Sequence, residues 1–179
     1  LNLGGVGVTG CSAANDIAKE ADLVIGVGTR YTDFTTSSKW LWSGACKFVN
    51  INVSEFQSLK MEAIPVVADA KDALPRLEKL LAGYKPAYAG EIEAARKKWA
   101  EELDRLDSFA FADTADWKPI INDANADSAK RFAKDLNAGL TQTSVLGAIN
   151  AMMADTDVAI GAAGSLPGDM QRMWRPRAQ

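Results

Sequence analysis

Apolar positions along the chain fall either into short unbroken runs or into helical spacing. Leu23, Val24, Ile25 and Val27 form an almost continuous run. That pattern suits a parallel strand covered on both faces better than a half-exposed one. CKFVNINV at about 46–53 and IPVVA at 64–68 read as two further strands. Helical segments flank them. CSAANDIAKEAD follows a glycine-rich stretch at 4–10, with Ser12 as the expected cap and Ile17 and Ala21 four apart on one face. KDALPRLEKLLAG follows the third strand. This order predicts an α/β fold, a partial doubly wound parallel sheet that ends near Gly83.

Downstream the pattern changes. YKPAYAG has the composition of a linker, and residues 91–107 carry the strongest helical signal. There Ile92, Ala95, Trp99, Leu103 and Leu106 keep three-and-four spacing, so one face packs and the charged face is solvated. Residues 108–139 read as an irregular connector with a short helix. From 141 a second α/β unit begins: a helix with Val145, Ile149 and Met152/Met153 on one side, then DVAIGAAG as a strand running into the glycine turn GSLPGD. The expected division is 1–83 (α/β), 84–139 (helical linker) and 140–179 (start of a second α/β domain). The chain opens without Met and stops at RPRAQ, so both ends read as cuts through a longer protein.

Composition narrows the chemistry. The 179 residues are 47% hydrophobic and 24% charged, which fits a globular chain and not a disordered one. A net charge of -3 argues against broad nucleic-acid affinity. The absence of His excludes a Ser-His-Asp triad, a Cys-His pair and any His-ligated metal within these residues. Two cysteines, Cys11 and Cys46, are too few for a disulfide scaffold, fit a reducing cytoplasm and read as structural. No apolar run approaches the roughly 20 residues of a membrane span, and no signal peptide opens the chain.

Three glycine-bearing segments are candidate sites. Gly5-Val6-Gly7-Val8-Thr9-Gly10 matches G-x-G-x-x-G by letter, but the strand that should precede it is missing. Asp33 is only a loose match to the acidic residue expected about 20 positions on. A glycine turn that packs the following helix is the favoured alternative, so no NAD is expected there. Gly26-Val27-Gly28-Thr29-Arg30 closes the first strand, on the side of an open α/β sheet where ligands lie. Arg30 would meet an anion and Asp33 a hydroxyl, or the two simply pair at a surface turn. Gly164-Ser165-Leu166-Pro167 follows the last strand-like run, where exposed N–H groups suit a diphosphate; a plain turn stays open. Met170, Met173 and Trp174 read as packing residues.

Taken together, GGVGVTGCSAANDIAKEADLVIGVGTRYTDFTTSSKW, FVNINVSEF, PVVADAKDAL and TQTSVLGAIN…GAAGSLPGDMQRMWRP resemble a thiamine-diphosphate enzyme. The family is the trihydroxycyclohexane-1,2-dione hydrolases of myo-inositol catabolism, within the acetolactate-synthase-like superfamily. TRYTDFTTSSKW and GAAGSLPGD are the specific phrases, and the likeness covers about residues 4–83 and 140–176. It implies the latter part of a central domain, a linker and the opening of the diphosphate-binding domain, with Gly164, Ser165, Leu166 and Pro167 lining the cofactor pocket. It implies thiamine diphosphate as an electron sink while a C–C bond of a cyclic diketone breaks, water then releasing 5-deoxy-glucuronate. Magnesium would bridge the diphosphate to carboxylate and amide ligands that these residues lack, since no G-D-G…N metal motif appears in them; the carbanion-activating Glu of the pyrimidine domain is absent as well. Implied partners are the remaining domains and a homo-oligomer; the 179 residues alone are expected to be inactive. An acetolactate-synthase-like carboligase and a stand-alone nucleotide-binding module are the competing readings.

Overall fold

The computed structural model describes residues 2–109 and 139–175, together with positions 127, 128, 131, 134 and 135. Two compact units are present, Leu1–Ala100 and Glu101–Gln179. The irregular connector expected at 108–139 lies almost wholly outside the described residues.

In the first unit three strands form one parallel sheet in the order β1 (Leu23–Val27), β2 (Lys47–Asn52), β3 (Ile64–Val67). Gly26 pairs with Asn50 and Val27 with Ile51, while Ile51 also pairs with Val66. The parallel arrangement is the one expected from unbroken apolar runs. Alternation along the strands gives the sheet two distinct faces. One carries Phe48, Asn50 and Asn52, all buried beneath the segments that connect the strands. The other carries Leu23, Ile25, Val49, Ile51 and Val66, which with α4 (Ala70–Leu80) wall an apolar groove of about 630 Å³. Leu23, Ile25 and Val27 stay partly exposed, so β1 is covered on both faces only in part. Among the described residues it pairs with β2 alone.

Helix α1 (Ser12–Lys19) starts at the residue expected to cap it, so its cap lies one residue earlier. Cys11, not Ser12, is the cap: its backbone is extended and its Sγ accepts from the Ala14 N–H at 3.4 Å. The thiol donates to the Leu3 carbonyl at 2.8 Å, which consumes its hydrogen-bonding capacity and fits a structural role. Cys11, Ala13 and Ala14 form a buried cluster against which Leu3, Val6, Ala95 and Trp99 pack. Two single-turn helices follow the strand ends, α2 (Asp33–Thr36) after β1 and α3 (Glu55–Ser58) after β2. The long helix α5 (Ala89–Asp107) keeps the face read from its spacing, with Ile92 and Leu103 buried and Ala95 and Trp99 on the cysteine cluster.

In the second unit α6 (Gln142–Met152) opens with a capping box in which Thr141 and Ser144 bond reciprocally. Helix α7 (Ser165–Met173) follows. Leu146 is the buried residue of α6, whereas Val145, Ile149 and Met152, expected to pack, are exposed. Helical spacing marks an apolar side without deciding which part of it is covered. The expected strand at DVAIGAAG is not one: residues 157–160 have no strand pairing, and Val158 and Ile160 are exposed. A strand needs a neighbour for its N–H and C=O groups, and none of the described residues provides it.

Candidate functional site

The segment Gly164–Pro167 is not the free glycine turn its composition suggests. Gly164 is the N-cap of α7, and Ser165, Leu166 and Pro167 are already its first turn. Proline at such a position forfeits no hydrogen bond, because the first N–H groups of a helix have no partner within it. Gly164 has φ +123° and ψ -167°, a region open in practice to glycine alone, although nothing lies near the position of a Cβ. Having no side chain, Gly164 offers no capping oxygen. The first turn of α7 therefore meets its surroundings with uncapped backbone donors and the positive end of the helix dipole, which favour an anion.

Side chains of α6 and α7 hold this end in place. The Gln142 amide at the start of α6 donates to the Asp169 carboxylate, which also pairs with Arg172 at 3.6 Å. A Cβ on Gly161 would touch Met170 Sδ at 3.1 Å and Pro167 Cβ at 3.5 Å, so the incoming segment runs back along the helix. Arg175, just past α7, bonds Asp104 and Asp107 at 2.9 Å each, and its carbonyl accepts from Asn150 Nδ2. A Cβ on Gly147 would come within 2.7–2.9 Å of the Asp107 side chain, which packs close against this position. Gln142 and Asp169 carried no signal in sequence, since their pairing joins positions 27 residues apart.

The glycine loop at 5–10 does different work. The Gly7 N–H donates to Asn15 Oδ1 at 2.8 Å and Asn15 Nδ2 returns a bond to the Gly7 carbonyl at 3.0 Å. Val8 N–H donates to the Phe34 carbonyl, Gly10 N–H to Gly7 and Cys11 N–H to Gly5. A phosphate would need these same amides, and all four are committed within the protein. Gly7, at φ +101°, lies against the backbone of Phe34 and Thr35, and Gly10 against Val6. The loop is therefore a packing device that fastens α1 to α2.

At the carboxyl end of β1, Gly26 is required because the Tyr31 ring lies over it, with Cζ at 2.7 Å from a Cβ position. Tyr31, Trp42 and Phe48 meet edge to face at centroid distances of 5.2–6.4 Å. The Tyr31 hydroxyl is buried without a partner, and burial, with a smaller effect from Cys46, holds its pKa above the usual value. Burial and the Asp22 carboxylate likewise push the Cys46 thiol up, away from the thiolate that nucleophilic chemistry needs. Asn52 Nδ2 bonds the Thr29 carbonyl, Lys60 Nζ bonds the Arg30 carbonyl, and Asp33 opens α2. Among the described residues no group of three or more acidic or thiol side chains gathers to hold a metal ion.

Comparison with known proteins agrees with this architecture. Residues 1–77 match the family described as thiamine pyrophosphate enzyme, central domain. The chain is 50% identical over 179 residues to 3D-(3,5/4)-trihydroxycyclohexane-1,2-dione hydrolase 2 of Bacillus cereus, covering 98% of this chain and 28% of that one. It is 49% identical over 174 residues to the 3D-(3,5/4)-trihydroxycyclohexane-1,2-dione hydrolase of Geobacillus thermodenitrificans, covering 97% and 27%. It thus spans little more than a quarter of the length of these curated relatives. No solved structure matches it.

Proposed function

Since residues 1–77 belong to the thiamine pyrophosphate enzyme central-domain family, we propose that the chain is part of a hydrolase that opens the ring of 3D-(3,5/4)-trihydroxycyclohexane-1,2-dione. The product is 5-deoxy-glucuronate, formed in the cytoplasm during inositol catabolism. The observation that carries this reading is identity at half the positions over nearly the whole chain, with relatives that bear that name.

Gly164, Ser165, Leu166 and Pro167 fit the cofactor expected of such an enzyme. The uncapped start of α7 suits an anionic diphosphate, and the glycine cap keeps that end clear of side chain. Ser165 adds a hydroxyl and a backbone N–H, while Leu166 offers a half-exposed apolar surface to the organic part of the cofactor. When bound, thiamine diphosphate supplies an electron sink for cleavage of a C–C bond. Magnesium and the activating carboxylate come in this reading from the rest of the enzyme, which works as a homo-oligomer on a small cyclic diketone.

The test is the complete enzyme, supplied with thiamine diphosphate and magnesium and given the cyclic dione or pyruvate. Ring opening that depends on the cofactor supports the reading; carboligation of pyruvate without ring opening refutes it. Gly164→Val and Ser165→Ala address the cofactor segment. Losing one hydrogen bond to a charged group should weaken cofactor binding by about 1.5–3 kcal/mol, roughly ten- to 150-fold. Gly164→Val should cost more, because a β-branched residue cannot adopt the backbone at φ +123°. Unchanged cofactor affinity in both variants would leave Gly164–Pro167 as a helix start alone.

A further inference from the structure

Leu23, Ile25, Val49, Ile51 and Val66 form one apolar face of the sheet, and α4 walls it on one side to make the groove of about 630 Å³. We propose that this groove seats a helix from the part of the complete enzyme that precedes residue 1, and that the same part adds a parallel strand along β1. The proposal rests on the reading of these residues as a piece of a longer enzyme, since they span 28% of a curated relative.

The route of the chain into β1 fixes the side on which that strand lies. Tyr31 and Trp42 pack on Phe48, and Asn50 Nδ2 bonds the Gln57 carbonyl. The connections from β1 to β2 and from β2 to β3 therefore both cross the face opposite the groove. The glycine loop at 5–10 sits on that same side, at the carboxyl end of β1, where its Val8 N–H bonds the Phe34 carbonyl of α2. Helix α1, eight residues and so about 12 Å long, leads back from there to the start of β1. A loop at the carboxyl end, a returning helix and a strand make the second part of a strand–helix–strand crossover. Such crossovers are right-handed. The steps β1 to β2 to β3 run in one direction across the sheet. A crossover through α1 on the same face must step in that direction too, which puts the strand feeding it beside β1, away from β2. The backbone of β1 suits this. The Asp22 carbonyl and the Gly28 N–H bond β2, so by alternation the amides of Leu23, Ile25 and Val27 point to the other edge.

The same geometry identifies what fills the groove. Strands lie about 4.8 Å apart and packed helices about 8–10 Å, so one helix covers about two strands. Helix α4 packs on β2, which leaves β1 and its added neighbour to a second helix. Leu80, on the groove wall of α4, is 82% exposed, and a parallel sheet is built with both faces covered. Helix α5 is engaged elsewhere, with Ala95 and Trp99 on the cysteine cluster. A second subunit laid in the groove would leave the edge of β1 without a strand. The preceding segment delivers strand and helix together.

The experiment uses the complete enzyme with photoreactive p-benzoylphenylalanine in place of Leu80, irradiated and mapped by mass spectrometry. The expected partner is a peptide preceding residue 1 in the same polypeptide, with the monomer mass kept on a denaturing gel. The same group in place of Glu78, which does not line the groove, should give no such peptide. Hydrogen exchange on the unsubstituted enzyme guards against a variant that fails to fold. There the amides of Leu23, Ile25 and Val27 should exchange at least about 100-fold more slowly than in unstructured chain. Fast exchange at these three amides overturns the added strand. Cross-links from Leu80 that are absent or confined to residues 1–179 overturn the seat, and so does a cross-link between two polypeptides, which would make the groove a subunit contact. A complete enzyme with the expected cross-link and protection that does not open the dione would remove the proposed reaction and leave the seat standing.

Discussion

Replacing Gly7 with Ala tests whether the glycine loop is a packing device. A Cβ there would run into the Phe34 carbonyl oxygen and sit 2.7 Å from Thr35 Cα, both backbone atoms that cannot swing aside. The backbone at φ +101° adds strain of about 1–3 kcal/mol for a residue with a side chain. Relieving the clash means moving the loop off α2, which breaks the Val8–Phe34 bond and disturbs the two Gly7–Asn15 bonds, at about 1 kcal/mol each. The expected total is about 4–6 kcal/mol. Gly28→Ala is the control: its φ is +64° and nothing lies within 4 Å of the added Cβ, so only the left-handed backbone penalty of about 1–2 kcal/mol applies. Urea denaturation of both variants, followed by far-ultraviolet circular dichroism, measures the difference. Midpoints that fall together at equal slopes would show that the loop yields freely and that its contact with α2 is not a clamp.

Other residues give further tests by the same denaturation assay. Asn15→Ala should cost about 1–3 kcal/mol, because it removes both bonds to Gly7 while the loop stays in place. Tyr31→Phe should be neutral or stabilising by up to about 1 kcal/mol, since the lost hydroxyl is buried without a partner and the edge-to-face contacts remain. Tyr31 and Cys46 both have folded pKa values above their ordinary ones, so the folded state holds these protons more tightly than the unfolded state. Their contribution is complete below the ordinary values of 9.0 for the thiol and 10.0 for the phenol, and is lost as pH rises through the higher folded values. Stability should therefore decline above pH 9.0, less steeply in Tyr31→Phe, and a flat profile to pH 11, about a unit past the ordinary phenol value, would contradict this. Arg175→Met should destabilise the second unit by about 1–3 kcal/mol by leaving Asp104 and Asp107 facing each other without their shared cation. A denaturation midpoint equal to the parent's would show that this pairing is only a surface contact.

Patterns that repeat within a few residues were legible in the sequence. Unbroken apolar runs identify the three strands and their parallel pairing, since only a sheet layered by other elements tolerates them. Spacing on α5 picks out Ala95 and Trp99, which do pack on the cysteine cluster. The phrases TRYTDFTTSSKW and GAAGSLPGD carried the family. Tertiary structure decided what depends on atoms far apart in the chain. Whether a glycine loop cradles a phosphate or packs a helix depends on who uses its amides, and Asn15 and Phe34 settle that here. Whether GSLP is a turn or a helix start depends on the Gly164 backbone and on the segment lying along Met170. Cys11 displaces Ser12 as a cap because Leu3 and Ala14 converge on its sulfur. A hydrophobicity pattern states which side chains would gain from burial; only the three-dimensional packing determines that Leu146 is covered while Phe34 and Trp40 are held in solvent.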